Sequence, residues 1–235
     1  MNNSLQIFLI TGTSRGIGNY LANYYLQLGH TVIGCSRSKS TIENNQYKHF
    51  EIDLANENEI LEMFKTIRKE FKSISVLINN AAINPAIIMA PLLPYETISN
   101  TFKVNVFATM LCTREAIKLM LKNKFGRIIN LGSMASKHEV PGESLYTSTK
   151  SAINAYTRVV AKEVAKMGIT VNVVAPSAIE TELSNQINRD ALNEVLSRNA
   201  INVLGDFTDV SNIIDTLIKP ESKAITGQLI YLGGV

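Results

Sequence analysis

Tyr146 and Lys150 stand four positions apart in a stretch of helical periodicity, Ser144 to Met167, so the phenol and the ammonium share one helix face. Thirteen positions before the tyrosine, Ser133 leaves an apolar run in the segment INLGSMAS. These three side chains form a set that can manage a carbonyl oxygen as it gains alkoxide charge. Tyr146 is the proton donor and Ser133 the hydrogen-bond donor to the same oxygen. Lys150 is the cation expected to draw the phenol below its ordinary pKa of about 10. In the reverse direction the same phenol is the base that oxidises an alcohol. A YxxxK spacing also arises by chance, and Ser133 alone could be a turn or helix-cap serine, so the surroundings must decide.

Near the start of the chain, QIFLITGTSRGIG sets Gly12, Gly16 and Gly18 after a strand-like run and at the mouth of a helical stripe of Ile17, Leu21, Tyr24 and Leu28. Such a turn needs glycines for tight backbone and for close approach of a pyrophosphate, and the helix start offers unpaired N–H groups. The spacing is GxxxGxG, not the GxGxxG of the usual dinucleotide fingerprint. About twenty residues further on, where NAD-binding turns place a carboxylate, the chain reads Cys35-Ser36-Arg37. With Arg15 inside the turn, two guanidinium groups can pair with a 2′-phosphate, which favours NADP(H) over NAD(H). Asp53 suits either an adenine amino group or the cap of the next helix.

These groups must be positioned by elements that alternate along the whole chain. Expected strands are Gln6 to Thr11, Thr31 to Ser36, His49 to Leu54, Val76 to Asn79, Arg127 to Leu131, Thr170 to Ala175 and Gln228 to Leu232. They read as continuous apolar runs, the mark of parallel strands covered on both faces. An α/β fold follows: a doubly wound, Rossmann-type sheet of seven parallel strands with helices on both faces. One domain spans 1–235, with a substrate lid at about 178–208 built in. Asn56 and Glu59 mark a helix start before Ile60, Phe64, Ile67 and Phe71. The helices at Thr97 to Asn123 and Ser144 to Met167 are apolar or small on more than one face. They call for a subunit interface or a covering loop.

Composition narrows the function classes. The net charge is only +3, with no run of five basic residues, so nucleic acid is not an expected partner. The apolar stretch from Ile74 to Tyr95 is broken by Asn79, Asn80, Asn84, Pro85, Pro91 and Pro94, too often for a membrane span. The first residues lack the form of a signal peptide, so a cytoplasmic location is expected. Cys35 and Cys112 are read as reduced thiols, and no metal-ligand cluster is evident.

With these motifs in order, the chain resembles the short-chain dehydrogenase/reductase family over essentially its whole length. It is most similar to the family's short single-domain branch and its 3-oxoacyl-[acyl-carrier-protein] reductases. The family's NNAG reads Asn79-Asn80-Ala81-Ala82 here, its helix asparagine is Asn105, and its PGxxxT reads Pro176-Ser177-Ala178-Ile179-Glu180-Thr181. The resemblance implies that Asn105 joins Ser133, Tyr146 and Lys150 and holds a water on a proton path from Lys150. It implies that Asn80 and Ala81 line the ribose side and that Thr181 meets the carboxamide. The expected cofactor contacts are therefore Gly12, Ser14, Arg15, Gly16, Ile17, Gly18, Arg37, Asp53, Leu54, Asn80, Ala81, Tyr146, Lys150, Pro176, Ile179 and Thr181. Ala82 and Ser177 replace family glycines, which is expected to restrict the backbone there.

The expected substrate cleft is apolar: Ile87, Ile88, Met89, Leu92 and Leu93, then His138, Val140 and Pro141, then Ile179, Leu183 and Ile187. Such a cleft suits an acyl or alicyclic ketone, and the same residues could equally be core under the lid. Lys118, Lys122, Lys124 and Arg127 could steer an acidic carrier protein or be a solvated helix end. The reading is an NADP(H)-dependent reduction of a ketone, with a 3-oxoacyl thioester as one candidate substrate. An oxidative alcohol or polyol dehydrogenase and an NADPH-binding regulatory protein are the alternatives. The resemblance further implies a homotetramer or homodimer.

Overall fold

Phe8, Leu9 and Ile10 follow one another with no exposed surface, as does the run Val76, Leu77 and Ile78. Successive side chains on a strand point to opposite faces, so both faces of this sheet are covered. The computed structural model describes residues 5–85, 87–179 and 196–234. Its strands are β1 (Ile7–Thr11), β2 (Thr31–Ser36), β3 (Tyr47–Glu51), β4 (Val76–Asn79), β5 (Gly126–Leu131), β6 (Ile169–Ala175) and β7 (Leu229–Tyr231). They form one parallel sheet in the order β3-β2-β1-β4-β5-β6-β7. The order reverses between β1 and β4, where sheets of this kind bind ligands at the carboxyl ends of their strands.

Helices α1 (Gly16–Gln27) and, near the C-terminus, α7 (Phe207–Ile218) pack on the face that carries Phe8, Ile10, Val76 and Ile78. The opposite face, with Leu9, Leu77 and Ile128, meets α2 (Glu57–Phe71), α4 (Ala108–Met120) and α6 (Ser144–Val164). Two shorter helices, α3 (Tyr95–Phe102) and α5 (Ala135–His138), stand before α4 and α6. Each buried Leu, Ile or Phe side chain contributes roughly 1.5–3 kcal/mol, and the two clusters share the sheet as their common wall.

Most expected strands lie where the apolar runs put them. β3 does not: it occupies Tyr47–Glu51, two residues before the expected start, because this edge strand is polar and half exposed. The α1 stripe is also rotated, with Gly18, Leu21, Ala22, Tyr25 and Leu26 inward and Leu28 about half exposed. In α2, Ile60, Phe64 and Ile67 are buried as expected, joined by Met63. Asn56 caps that helix through the Asn58 N–H, while Glu59 reaches past it to accept from the Asp53 N–H.

Arg127 overturns its reading as a surface cation. It is only 2% exposed, and its guanidinium donates to the carbonyls of Gly126, Gly168, Lys219 and Pro220 and lies over the Phe125 ring. Gly168 and Lys219 are where the helices α6 and α7 run out, so a cation meets backbone carbonyls at two negative helix ends. Lys118 is likewise engaged, donating to Glu115 at 2.6 Å. Moreover, Arg127 lies four residues, about 13 Å at ~3.3 Å per residue, from the carboxyl end of β5. The basic cluster therefore does not flank the site.

Candidate active site

β1 ends in Thr11, and its hydroxyl oxygen accepts from the backbone N–H groups of both Asn80 and Ala81, each at 3.0 Å. Asn80 returns the link, donating its side-chain amide to Thr11 O at 2.8 Å and Gly12 O at 3.1 Å. The N–H groups of Gly12 and Thr13 donate to Cys35 O at the end of β2. The glycine turn is thus tied to both neighbouring strands. Gly12 has φ +76°, and a Cβ there would stand 2.9 Å from the Ala81 Cα. At Gly18 a Cβ would collide with the Gly12 carbonyl, so the third glycine lets α1 close on the turn. Gly16, with φ +58°, has open space around it. Arg15 and Arg37 are exposed, on the glycine turn and just past the end of β2 respectively.

β5 delivers Ser133 just beyond its last residue, and α6 presents Tyr146 and Lys150 from its first two turns. Ser133 Oγ accepts from the Ala135 N–H at 3.1 Å, and its hydroxyl lies near enough to the Tyr146 phenol to act on its pKa. Lys150 Nζ donates to Leu131 O at 2.7 Å and sits 5.6 Å from the centre of the Tyr146 ring. An ammonium has three donors, so two remain for other acceptors. Burial pushes the Tyr146 phenol up to about 12, the Ser133 hydroxyl pulls against it, and the Glu143 carboxylate adds to the rise. Burial brings Lys150 down to about 8. The expected lowering of the phenol by the lysine is therefore not what this fold shows: desolvation wins, and the tyrosine is held as a protonated acid.

Asn105 lies in a π-helical turn, Lys103–Phe107, between α3 and α4. Its amide accepts from Ile83 N at 2.8 Å, donates to Ile83 O at 2.9 Å, and donates to Thr149 Oγ1 at 3.1 Å. It clamps the loop after β4 onto α6, between Tyr146 and Lys150 in sequence.

A family model described as short chain dehydrogenase matches residues 6–192. The chain is 30% identical over 240 residues to the 3-oxoacyl-[acyl-carrier-protein] reductase FabG of Vibrio cholerae, covering all of this chain and 98% of the relative. For the FabG of Vibrio harveyi the identity is 31%, with the same coverage. Among solved structures, ElxO with NADP bound superposes with a TM-score of 0.89 at 28% identity, over 97% of each chain. A 4-hydroxyisoleucine dehydrogenase complexed with NADH reaches 0.85 at 28% identity, also over 97% of each. The chain belongs to the short-chain dehydrogenase family. It is an oxidoreductase of that family, acting between a carbonyl and an alcohol.

The family's dinucleotide fits the residues present. Gly12 and Gly16 leave room where any larger side chain would intrude or be strained, and two exposed guanidinium groups flank the turn. The other expected contacts differ in exposure. Leu54 is buried in the core, and Ile179 and Pro176 are buried after β6. Asp53 lies past the end of β3, and its Oδ1 accepts from the Ala55 N–H, a turn-capping role. Ser14 and Ile17 are half-buried in the glycine turn. Thr181, Leu183, Ile187 and most of the expected lid lie outside the described residues.

The replacements of family glycines cause no backbone strain. Among the described residues, the non-glycine positions with positive φ are Lys72, Lys124 and Glu139, so neither Ala82 nor Ser177 is one. Ser177 instead gains a role: its Oγ accepts from Asn199 Nδ2 at 2.6 Å, while Asn199 Oδ1 pairs with His138 Nε2 at 2.9 Å. Asn199 thereby joins the segment after Ser133 to the segment after β6. Glu143, at the start of α6, does not cap its own helix. Burial raises its carboxyl, while Arg198 and His138 oppose that rise. Neither Glu143 nor Asn199 is conspicuous in sequence, since each acts across segments far apart in the chain.

Proposed function

We propose that the protein is an NADP(H)-dependent reductase that converts a ketone to a secondary alcohol, with 3-oxoacyl thioesters as its substrate class. The observation that carries this is the joint placement of Ser133, Tyr146 and Lys150 at the carboxyl end of β5, beside a glycine turn flanked by Arg15 and Arg37. Arg15 and Arg37 hold the 2′-phosphate, and the turn from Gly12 to Gly18 accepts the pyrophosphate. Lys150 binds ribose hydroxyls with the donors left free by Leu131. A bound nicotinamide supplies the hydride.

Ser133 donates a hydrogen bond to the substrate oxygen, and Tyr146 gives that oxygen its proton. The phenol, raised to about 12 by burial, carries its proton at neutral pH, the form in which it can give that proton to a substrate oxygen. Ile87, Met89 and Leu92 are exposed on the loop after β4 and suit an acyl chain better than a phosphorylated sugar. The names of the FabG relatives point the same way. An acyl carrier protein as the partner, a homotetramer built on α4 and α6, and a cytoplasmic location belong to this reading.

NADPH oxidation with an acetoacetyl thioester, beside a simple cyclic ketone and with NADH as cofactor control, tests it. Faster turnover of the thioester with NADPH is expected. Turnover of the cyclic ketone alone would reject the acyl substrate, and no turnover of either with NADPH bound would point to a more specialised carbonyl or to the NADPH-binding regulatory alternative.

A further inference from the structure

β2 has a glycine in its interior, Gly34, and a Cβ at that point would collide with the Tyr47 phenol oxygen and with Thr13 Oγ1. A strand-interior glycine of this kind marks the close passage of another group. Here the group is the Tyr47 side chain, which crosses from β3 over β2 to the glycine turn. Its Oη lies 2.9 Å from Thr13 Oγ1 and 3.0 Å from His49 Nδ1. His49 Nε2 lies 3.0 Å from Ser38 O and 3.2 Å from Ser36 Oγ, and Ser36 Oγ donates to Ser38 O at 2.8 Å.

The direction of these bonds follows from one acceptor. Ser38 O can only accept, so Nε2 carries a hydrogen; in the tautomer that leaves Nδ1 bare, the ring accepts there and the phenol donates to it. The phenol oxygen is left to accept from the Thr13 hydroxyl. The chain therefore begins at Thr13, two residues before Arg15, and ends on Ser36 and Ser38, the two neighbours of Arg37. Thr13 is fully buried, whereas Arg15 and Arg37 are exposed and stand on separate turns.

We propose that Tyr47 and His49 are positioning residues for cofactor selection, fixing the Arg15 turn and the Arg37 turn at the spacing that a single 2′-phosphate requires. This rests on the NADP(H) reading above. Two guanidinium groups can converge on one phosphate only if their backbones are held, and preorganising them lowers the ordering cost of binding. NAD(H) has no 2′-phosphate and calls on neither arginine, so its affinity is insensitive to the link.

The test is equilibrium titration of NADPH and of NADH, followed by nucleotide fluorescence, on the wild type, Tyr47→Phe, His49→Phe and Arg37→Ala. Tyr47→Phe keeps the ring and removes the hydroxyl, and His49→Phe cuts the chain at the next link should the first variant fold poorly. Each is expected to raise the NADPH Kd about tenfold and to leave NADH within about twofold. Equal weakening of both cofactors would make the link general scaffolding and overturn the proposal. Retained NADPH preference in both variants, with the preference lost in Arg37→Ala, would overturn the positioning role alone. A wild type that binds both cofactors equally would bring down the NADP(H) reading and this proposal with it.

Discussion

At Lys150 the fold places an ammonium where only 5% of the residue is exposed and gives it Leu131 O as partner. Its folded pKa of about 8 lies below the ordinary 10.5. Between those two values the unfolded chain still holds the proton that the folded chain has released, so stability rises with pH across that window. Below about 8 both states are charged and the burial cost is felt in full. Chemical denaturation of wild type and Lys150→Met at pH 7.5 and 10 checks this: the wild type should gain relative to the variant on going up, by at most ~1.4 kcal/mol per pH unit. A flat difference would mean that the ammonium is better solvated than its burial implies. That Ser133, Tyr146 and Lys150 come together was legible in sequence, because carbonyl chemistry calls for those types at that spacing. Their electrostatic balance was not, since it depends on burial and on Glu143, whose effect on Tyr146 requires the folded helix start.

At the scale of elements, the glycine turn separates two kinds of constraint. Gly18→Ala sets a methyl against the Gly12 carbonyl and should cost more than ~3 kcal/mol or prevent folding, because backbone cannot move aside cheaply. Gly16→Ala meets nothing within 4 Å and carries only the cost of positive φ, roughly 1–2 kcal/mol. Urea denaturation of the two variants ranks them, and a reversed order would contradict the packing described. In the π turn, Asn105→Ala gives up both bonds to Ile83 and the one to Thr149. A loss of about 2–3 kcal/mol is expected, together with reduced turnover as the loop after β4 loosens on α6. Parallel strands announce themselves as unbroken apolar runs, which is why β1, β2, β4, β5 and β6 could be placed closely from sequence. β3, with the sequence YKHFE, gives no such signal, and the roles of Tyr47 and His49 appear only once β3 is in register beside β2.

Across the whole molecule, the outer surfaces of α4 and α6 and the turns that flank them leave Phe107 53%, Val159 56% and Leu121 42% exposed. Their apolar character was evident from helical spacing, and the structure adds that their own chain leaves these side chains uncovered. On the proposed homotetramer reading, Phe107→Glu is expected to give a smaller species than wild type in sedimentation velocity while leaving the fold intact by circular dichroism. An unchanged sedimentation coefficient would remove α4 from the interface. Arg127 shows the opposite limit of sequence reading: beside Lys122 and Lys124 it looks like surface charge, yet two helix ends meet around it and bury it. Sequence spacing cannot report a contact that spans 92 residues of chain. The central claim is that Tyr146 gives the proton while the glycine turn, Arg15, Arg37 and Lys150 hold the nucleotide. It is tested most directly by comparing wild type and Tyr146→Phe for both NADPH-dependent ketone reduction and NADPH binding. The account predicts loss of turnover by about 10²-fold or more with the NADPH Kd nearly unchanged. Substantial turnover in the variant would contradict it.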